Sequence, residues 1–162
     1  MNNLLIVGAG QYGFVAKDVA LEIGNYDKIA FLDDNNEDAI DKINKLKEYI
    51  NDFDSLFIAI GNSKVREQIF EFAKECGFEP ITLVHPSAYV AKSATIESGC
   101  IIEANAVVNS NTVIKCGTLV CAGSVINHNC IVGKFCHIDV NSTVKSNSDI
   151  ADYSKLEAGT NY

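Results

Sequence analysis

From Val84 to Leu156 an aliphatic residue recurs at every sixth position without a slip: Val84, Val90, Ile96, Ile102, Val108, Ile114, Val120, Ile126, Val132, Ile138, Val144, Ile150 and Leu156. Four residues after each stands a small side chain, a column running from Ala88 through Cys100, Thr112, Ser124 and Cys136 to Thr160. A period of six fits neither an amphipathic helix (3.6) nor a simple half-buried strand (2), and it is the mark of a hexapeptide β-helix. Three hexapeptides close one triangular coil, with the aliphatic residue inside and the small one near a corner, and coils stack as a solenoid. Cys100, Cys130 and Cys136 fall in the small column, interchangeably with Ala, Ser and Thr, and read as core filler.

Residues 1–83 follow another rule. "LLIVGA" is a short apolar run ending in glycine, as a buried parallel strand should be. "QYGFVAKDVALEIG" places Phe14, Val15, Val19 and Ile23 at helical spacing and stops at Gly24. "KIAFLDD" predicts a second strand, a polar helical stretch follows, and "SLFIAIGN" predicts a third. "SKVREQIFEFAKECG" reads as a helix capped by Ser63 and ending at Gly77, and "EPITLVHP" closes the series as a fourth strand. Alternating strands and helices predict a small parallel sheet covered by helices, an α/β Rossmann-like domain over 1–83, followed by the β-helix over 84–162.

The residue just before each inward aliphatic should point outward, since successive strand residues face opposite sides. That column reads Ile101, Val107, Val113, Leu119, Val125, Ile131 and then His137. Outward aliphatics suggest an interface, and hence a homo-oligomer packed along an apolar stripe.

Charge narrows the function classes. Residues 1–83 carry 15 Asp/Glu against 8 Lys/Arg and residues 84–162 carry 6 against 5, the wrong sign for a nucleic-acid footprint. No apolar run reaches the length of a membrane span, and the first 20 residues lack the basic head of a signal peptide, so a cytoplasmic protein is expected. The six cysteines show no CxxC pair, which favours reduced thiols, and none is required as a nucleophile.

Two sets of residues invite chemistry. Gly8, Gly10 and Gly13 form a GxGxxG between a strand and a helix, a backbone able to approach phosphate. Asp33 and Asp34 end the second strand, where a carboxylate can accept from ribose or base; Gly61 and Asn62 lie at the tip of the third. Arg66 suits either a phosphate or a surface ion pair. A nicotinamide dinucleotide is an alternative ligand, but a β-helix offers no hydride chemistry.

The second set is in "SVINHNCIVGKFCHIDV". His128, flanked by Asn127 and Asn129, is suited to act as a general base near neutral pH. His137 lies half a coil away, so the two would meet only across a subunit interface. A histidine zinc site would need His85 as well, more than two coils distant, and no metal is expected.

"GAGQYG", "FLDD", "AIGNSKVREQI" and "VINHNCIVGKFCHI", in this order, resemble the sialic-acid O-acetyltransferase and UDP-amino-sugar N-acetyltransferase family of the NeuD/PglD type. The resemblance implies a left-handed parallel β-helix assembled as a homotrimer, with acetyl-CoA as co-substrate between neighbouring helices. It implies that Gly10, Gln11, Tyr12, Asp33 and Asp34 bind the nucleotide sugar. It makes His128 the base for an amino or hydroxyl group, His137 a contact to the acyl donor, and Ser146 the place of a backbone amide facing the acyl oxygen. The residue after the base is often acidic in that family; here it is Asn129, which can orient the ring but not carry charge. Because the chain stops at "SKLEAGTNY", about a coil before the family's usual end, the alternative expectation is a trimeric nucleotide-sugar-binding protein without acyl-donor binding.

Overall fold

A computed structural model describes residues 2–162. They form two compact units, which meet in sequence between Ile81 and Thr82.

In the first unit, β1 (Asn3–Val7), β2 (Lys28–Leu32) and β3 (Ser55–Ile58) form a parallel sheet in the order β2-β1-β3. The central strand is buried from Leu4 to Val7, as expected of a strand covered on both faces. Helix α1 (Gln11–Ile23) turns a different face inward from the one its large residues suggest: Gly13, Ala16, Val19 and Ala20 are buried, whereas Phe14 and Val15 are exposed. The reason is close approach. A Cβ on Gly13 would collide with the Gly8 carbonyl oxygen, so the helix packs with its small residues against the loop that leaves β1. The polar stretch after β2 forms a short 3-10 helix, Ile43–Tyr49. Helix α2 (Ser63–Glu75) is capped by Asn62 rather than by Ser63: the Asn62 Oδ1 accepts from Lys64 N and Val65 N, both at 3.1 Å.

"EPITLVHP" is not a fourth strand of this sheet. Pro80 makes a single bridge to Leu56, and Leu83–Val84 pairs with Ile101–Ile102 as the first rung of the second unit. The Ile81 N–H donates to Leu56 O at 2.8 Å, and the pairing goes no further.

The second unit consists of two-residue strands in three parallel sheets, and every paired register is offset by three hexapeptides, one full coil. These short parallel strands fit the left-handed β-helix that the resemblance implies. The inward aliphatics from Ile102 to Leu156 form one continuous buried core with Cys100, Ala106, Cys130 and Cys136. The small column does more than fill space. Thr118 and Ser124 hydroxyls donate at 2.8 Å to Gly133 O and Asp139 O on the next coil. The thiols of Cys100, Cys130 and Cys136 lie 3.1–3.2 Å from the carbonyl oxygens of Lys115, Lys145 and Ala151 respectively. Cys, Ser and Thr interchange there because each is small and each donates.

A third column emerges only in the structure. At every corner from residue 99 to 159 one residue is left-handed: Gly99, Asn105, Asn111, Gly117, Gly123, Asn129, Phe135, Asn141, Asn147, Tyr153 and Gly159. Gly and Asn enter that region most readily. Phe135 and Tyr153 are the costly members. They stack at 6.2 Å between centroids and 7° between planes, and the Phe135 ring fills the space where a Cβ of Gly117 would stand.

The same geometry corrects the expected apolar stripe. Positions six apart lie on successive faces, so the outward column divides into Ile101, Leu119 and His137 on one face, Val107 and Val125 on the next, and Val113 and Ile131 on the third. Ile101 and Leu119 are fully buried, and Ile131 is 41% exposed.

Candidate active site

In the first unit the three parallel strands end on one edge, so the loops after β1, β2 and β3 gather there, the usual ligand edge of an open α/β sheet. They are tied together. The Ala9 N–H donates to Asp33 Oδ2 at 2.8 Å, the Asn36 side-chain amide donates to Ala9 O at 2.6 Å, and Gly8 N–H donates to Leu32 O at 2.8 Å. Asp33 also accepts from Asn35 N, so its carboxylate is first a clamp on the glycine loop. Asp34 is exposed, with Oδ1 accepting from Ile43 N. Gly10 caps α1 with no side-chain hydrogen bond, and nothing lies within 4 Å of where its Cβ would be. Gly10 and Gln11 are exposed and Tyr12 is half-buried, so the start of α1 is open beside Gly10.

Arg66 is neither a phosphate ligand on the surface nor an exposed ion pair. It is 1% exposed, and its Nη1 donates to Ile60 O at 2.6 Å and Gly61 O at 2.9 Å, fixing the loop that carries Gly61 and Asn62. Arg66, Phe70 and Ala73 are the buried residues of α2, spaced i, i+4, i+7. That helical spacing is the signal that could have placed Arg66 inside.

In the second unit His128 is exposed at the corner after Val125–Ile126. Its Nδ1 lies 3.1 Å from the Asn129 side-chain amide nitrogen, and its backbone N–H donates to Asn127 Oδ1 at 2.9 Å. Ser146, half-buried, stands at the equivalent position one coil beyond. The Asn147 N–H donates to His128 O at 3.1 Å, joining those coils at this corner.

His137 lies within a strand on a different face, between Leu119 and Lys155. Its Nε2 is 3.3 Å from the Cys121 Sγ, and Cys121, His137 and Asp139 bring donor atoms within 4.8 Å of one another. The trio has the donor types to share a divalent ion. Cys121 lies outside the small column, and nothing in its local sequence announces the partnership with His137. Position 121 lies one coil before Asp139, so register arithmetic alone pairs these segments. His85 is held in its own turn, its Nδ1 within 3.0 Å of Ser87 N and 2.8 Å of Ser87 Oγ.

Residues 3–73 match the family described as the PglD N-terminal domain. The acetyltransferase domain of PglB from Neisseria gonorrhoeae is 31% identical with a TM-score of 0.95, over 99% of this chain and 82% of that one. The same domain in complex with acetyl coenzyme A is 32% identical, with a TM-score of 0.94 over the same shares. A perosamine N-acetyltransferase from Caulobacter crescentus, crystallised with CoA and GDP-perosamine, shares the fold at 20% identity and a TM-score of 0.89, over 100% of this chain and 89% of that one. A glycine loop opening a parallel sheet, a β-helix in one-coil register and this likeness along the chain agree: the chain belongs to the NeuD/PglD-type family of hexapeptide-repeat acetyltransferases.

Proposed function

We propose that the protein transfers an acetyl group from acetyl-CoA to an amino or hydroxyl group of a nucleotide-activated or related sugar, with His128 as general base. The carrying observation is an exposed histidine, oriented by a neighbouring asparagine amide, at a corner of a β-helix in a family of acetyltransferases. The N-terminal unit acts as a Rossmann-like nucleotide-sugar domain. Its open N-terminus of α1 supplies backbone N–H groups and partial positive charge for phosphate, with Asp34, Gly61 and Asn62 around it. Asp33 contributes by holding Ala9 in place.

The chemistry is direct. The acceptor nitrogen or oxygen attacks the thioester carbonyl carbon while the His128 imidazole takes its proton. The resulting oxyanion accepts from a backbone N–H at Ser146, and His137 hydrogen-bonds the donor. When the C–S bond breaks, the coenzyme thiolate leaves and takes the proton from the imidazolium. No acyl-enzyme forms. A homotrimer would bring His128 of one subunit towards His137 of the next, since within one chain they belong to different faces. The spacing of the six cysteines, with no CxxC pair, favours reduced thiols and a cytoplasmic setting.

The test is mass spectrometry of candidate UDP- and GDP-amino sugars incubated with acetyl-CoA and enzyme. An acetylated product from the wild type that falls by about 10²-fold or more in His128→Asn supports the reading. Undiminished product from the variant removes His128 as base. Nucleotide-sugar binding with no acetyl-CoA binding by the folded wild type overturns the transferase reading.

A further inference from the structure

The corner that carries His128 is built differently from the other two. Its left-handed residues, Asn111, Asn129 and Asn147, are all asparagine, with φ of 58°, 57° and 61°. They stack in register, and their side chains form a ladder. Asn111 Nδ2 donates to Asn129 Oδ1 at 3.3 Å, and Asn129 Nδ2 donates to Asn147 Oδ1 at 3.3 Å. The second hydrogen of Asn129 Nδ2 goes to His128 Nδ1 at 3.1 Å.

This has a chemical consequence. A ring nitrogen that receives an N–H must offer a lone pair, so a neutral His128 in this arrangement carries its proton on Nε2. A ring whose outer nitrogen already holds a proton cannot accept one there. For Nε2 to act as base, Nδ1 must hold the proton and face an acceptor, as the orienting carboxylate does in a serine-protease triad. The Asn129 amide meets that need only if flipped end for end, exchanging its oxygen and nitrogen so that Oδ1 faces the ring.

Asn129 cannot flip alone. Flipped in isolation, it would set its Nδ2 against the Asn111 Nδ2 and its Oδ1 against the Asn147 Oδ1, two contacts of like groups. If all three amides flip together, every contact is restored with its direction reversed. The ladder therefore has two isosteric polarities, and only the reversed one gives Nδ1–H an acceptor both before and after Nε2 takes a proton.

We infer that Asn111 and Asn147, whose side chains bond to Asn129 rather than to the ring, are positioning residues that select the His128 tautomer through the polarity of this asparagine ladder. The inference rests on the proposal that His128 is the base. Its test can nonetheless be read without turnover. Aspartate tolerates the left-handed corner and has only acceptors to offer when ionised. Asn111→Asp requires Asn129 to present Nδ2 to it, which turns Oδ1 to the ring and places the proton on Nδ1. Asn147→Asp holds Asn129 Nδ2 towards itself and keeps the proton on Nε2. Each variant adds the same charge one coil from Asn129, so each controls for the other.

Long-range 15N–1H NMR of the His128 ring should report opposite tautomers in the two variants of the full-length protein. In the transfer assay, kcat should be kept or raised in Asn111→Asp and should fall by about tenfold or more in Asn147→Asp, with KM for acetyl-CoA unchanged in both. The same tautomer in both variants, or equal losses of kcat from both, overturns the inference. Opposite tautomers with no acetyl transfer by the wild type would uphold the ladder while removing the proposed function. If an aspartate variant folds poorly, Asn111→Gly and Asn147→Gly suit the positive φ and remove one rung each. They should change the wild-type tautomer ratio, and an unchanged ratio in both refutes the coupling.

Discussion

Replacing Gly8, Gly10 and Gly13 one at a time by alanine separates what the fold requires from what a ligand requires. At Gly13 the new methyl would overlap the Gly8 carbonyl oxygen, backbone against backbone, and no side-chain rotation relieves it. Moving α1 off the loop is the only escape, and overpacking of this kind costs about 1–3 kcal/mol or more. At Gly8 the methyl would sit 2.7 Å from Ala59 O and 2.8 Å from Ile60 Cδ1, at a φ of +104°. The disfavoured backbone alone costs about 1–3 kcal/mol, so with the close contacts a total of about 3 kcal/mol is expected. At Gly10 the φ of −73° suits any residue and nothing lies within 4 Å. Alanine gains about 0.4–1 kcal/mol from a less flexible unfolded chain and loses a similar amount as a poorer N-cap than glycine. The net is near zero. Native-state hydrogen exchange of the β1 amides reads the N-terminal unit directly. Gly8→Ala and Gly13→Ala should accelerate it roughly a hundredfold, since about 1.4 kcal/mol is tenfold. Gly10→Ala should leave it within about threefold while weakening nucleotide-sugar binding, because its methyl adds bulk at the start of α1, where the proposed phosphate would approach the backbone. Equal acceleration by Gly10→Ala and Gly13→Ala would refute the division of roles. So would unchanged ligand affinity in Gly10→Ala.

Two further outcomes follow from buried polar groups. Arg66→Met should cost about 2–4 kcal/mol in urea denaturation: it removes the hydrogen bonds to Ile60 O and Gly61 O from a charged donor, each worth about 1.5–3 kcal/mol, and is partly offset by no longer burying the charge. A loss below about 0.5 kcal/mol, the scale of an ordinary surface substitution, would mean that the Ile60–Gly61 loop does not depend on the guanidinium. Burial pushes the Cys100 thiol up from 9.0 to about 12. Above pH 9 the unfolded chain therefore releases this proton while the folded chain keeps it, so stability falls as pH rises towards 12, by up to about 1.4 kcal/mol per unit. Cys100→Ser keeps a donor for Lys115 O and has no such titration, and its unfolding free energy should decline less steeply as the pH is raised above 9. Parallel curves would show that the thiol is not the titrating group.

What is legible in the sequence follows from repetition. In a β-helix each hexapeptide meets the same local environment, so one rule of inside and outside applies thirteen times, and the inward and small columns can be read from spacing alone. The left-handed column is harder to see because Phe135 and Tyr153 break its Gly/Asn composition, and what makes them acceptable is a stack between coils rather than a local preference. The apolar stripe fails for a related reason. A six-residue period in the sequence suggests one direction in space, whereas a triangular coil distributes it over three faces. In the N-terminal unit the strands are legible as apolar runs, but the inward face of α1 is set by the Gly13–Gly8 approach, which favours small residues over the Phe14 and Val15 that hydrophobicity would choose.

The candidate site shows the same division. His128 stands out as a histidine between two asparagines, Asn127 and Asn129. Its partners do not, because they are adjacent only through register: Asn111 and Asn147 each lie one coil from Asn129, on either side. Cys121 meets His137 across the turn of a coil for the same reason. In a solenoid the surroundings of a residue are found one coil up and one coil down, and a search by sequence proximity sees only the neighbours within its own coil. The structural consequence is also a functional one. The flanking Asn129 makes the contact to the ring, and a stack of identical amides in register can transmit a hydrogen-bond direction to it from coil to coil. The repeat that makes this fold easy to recognise therefore also gives residues distant in sequence a physical route to the ring of His128.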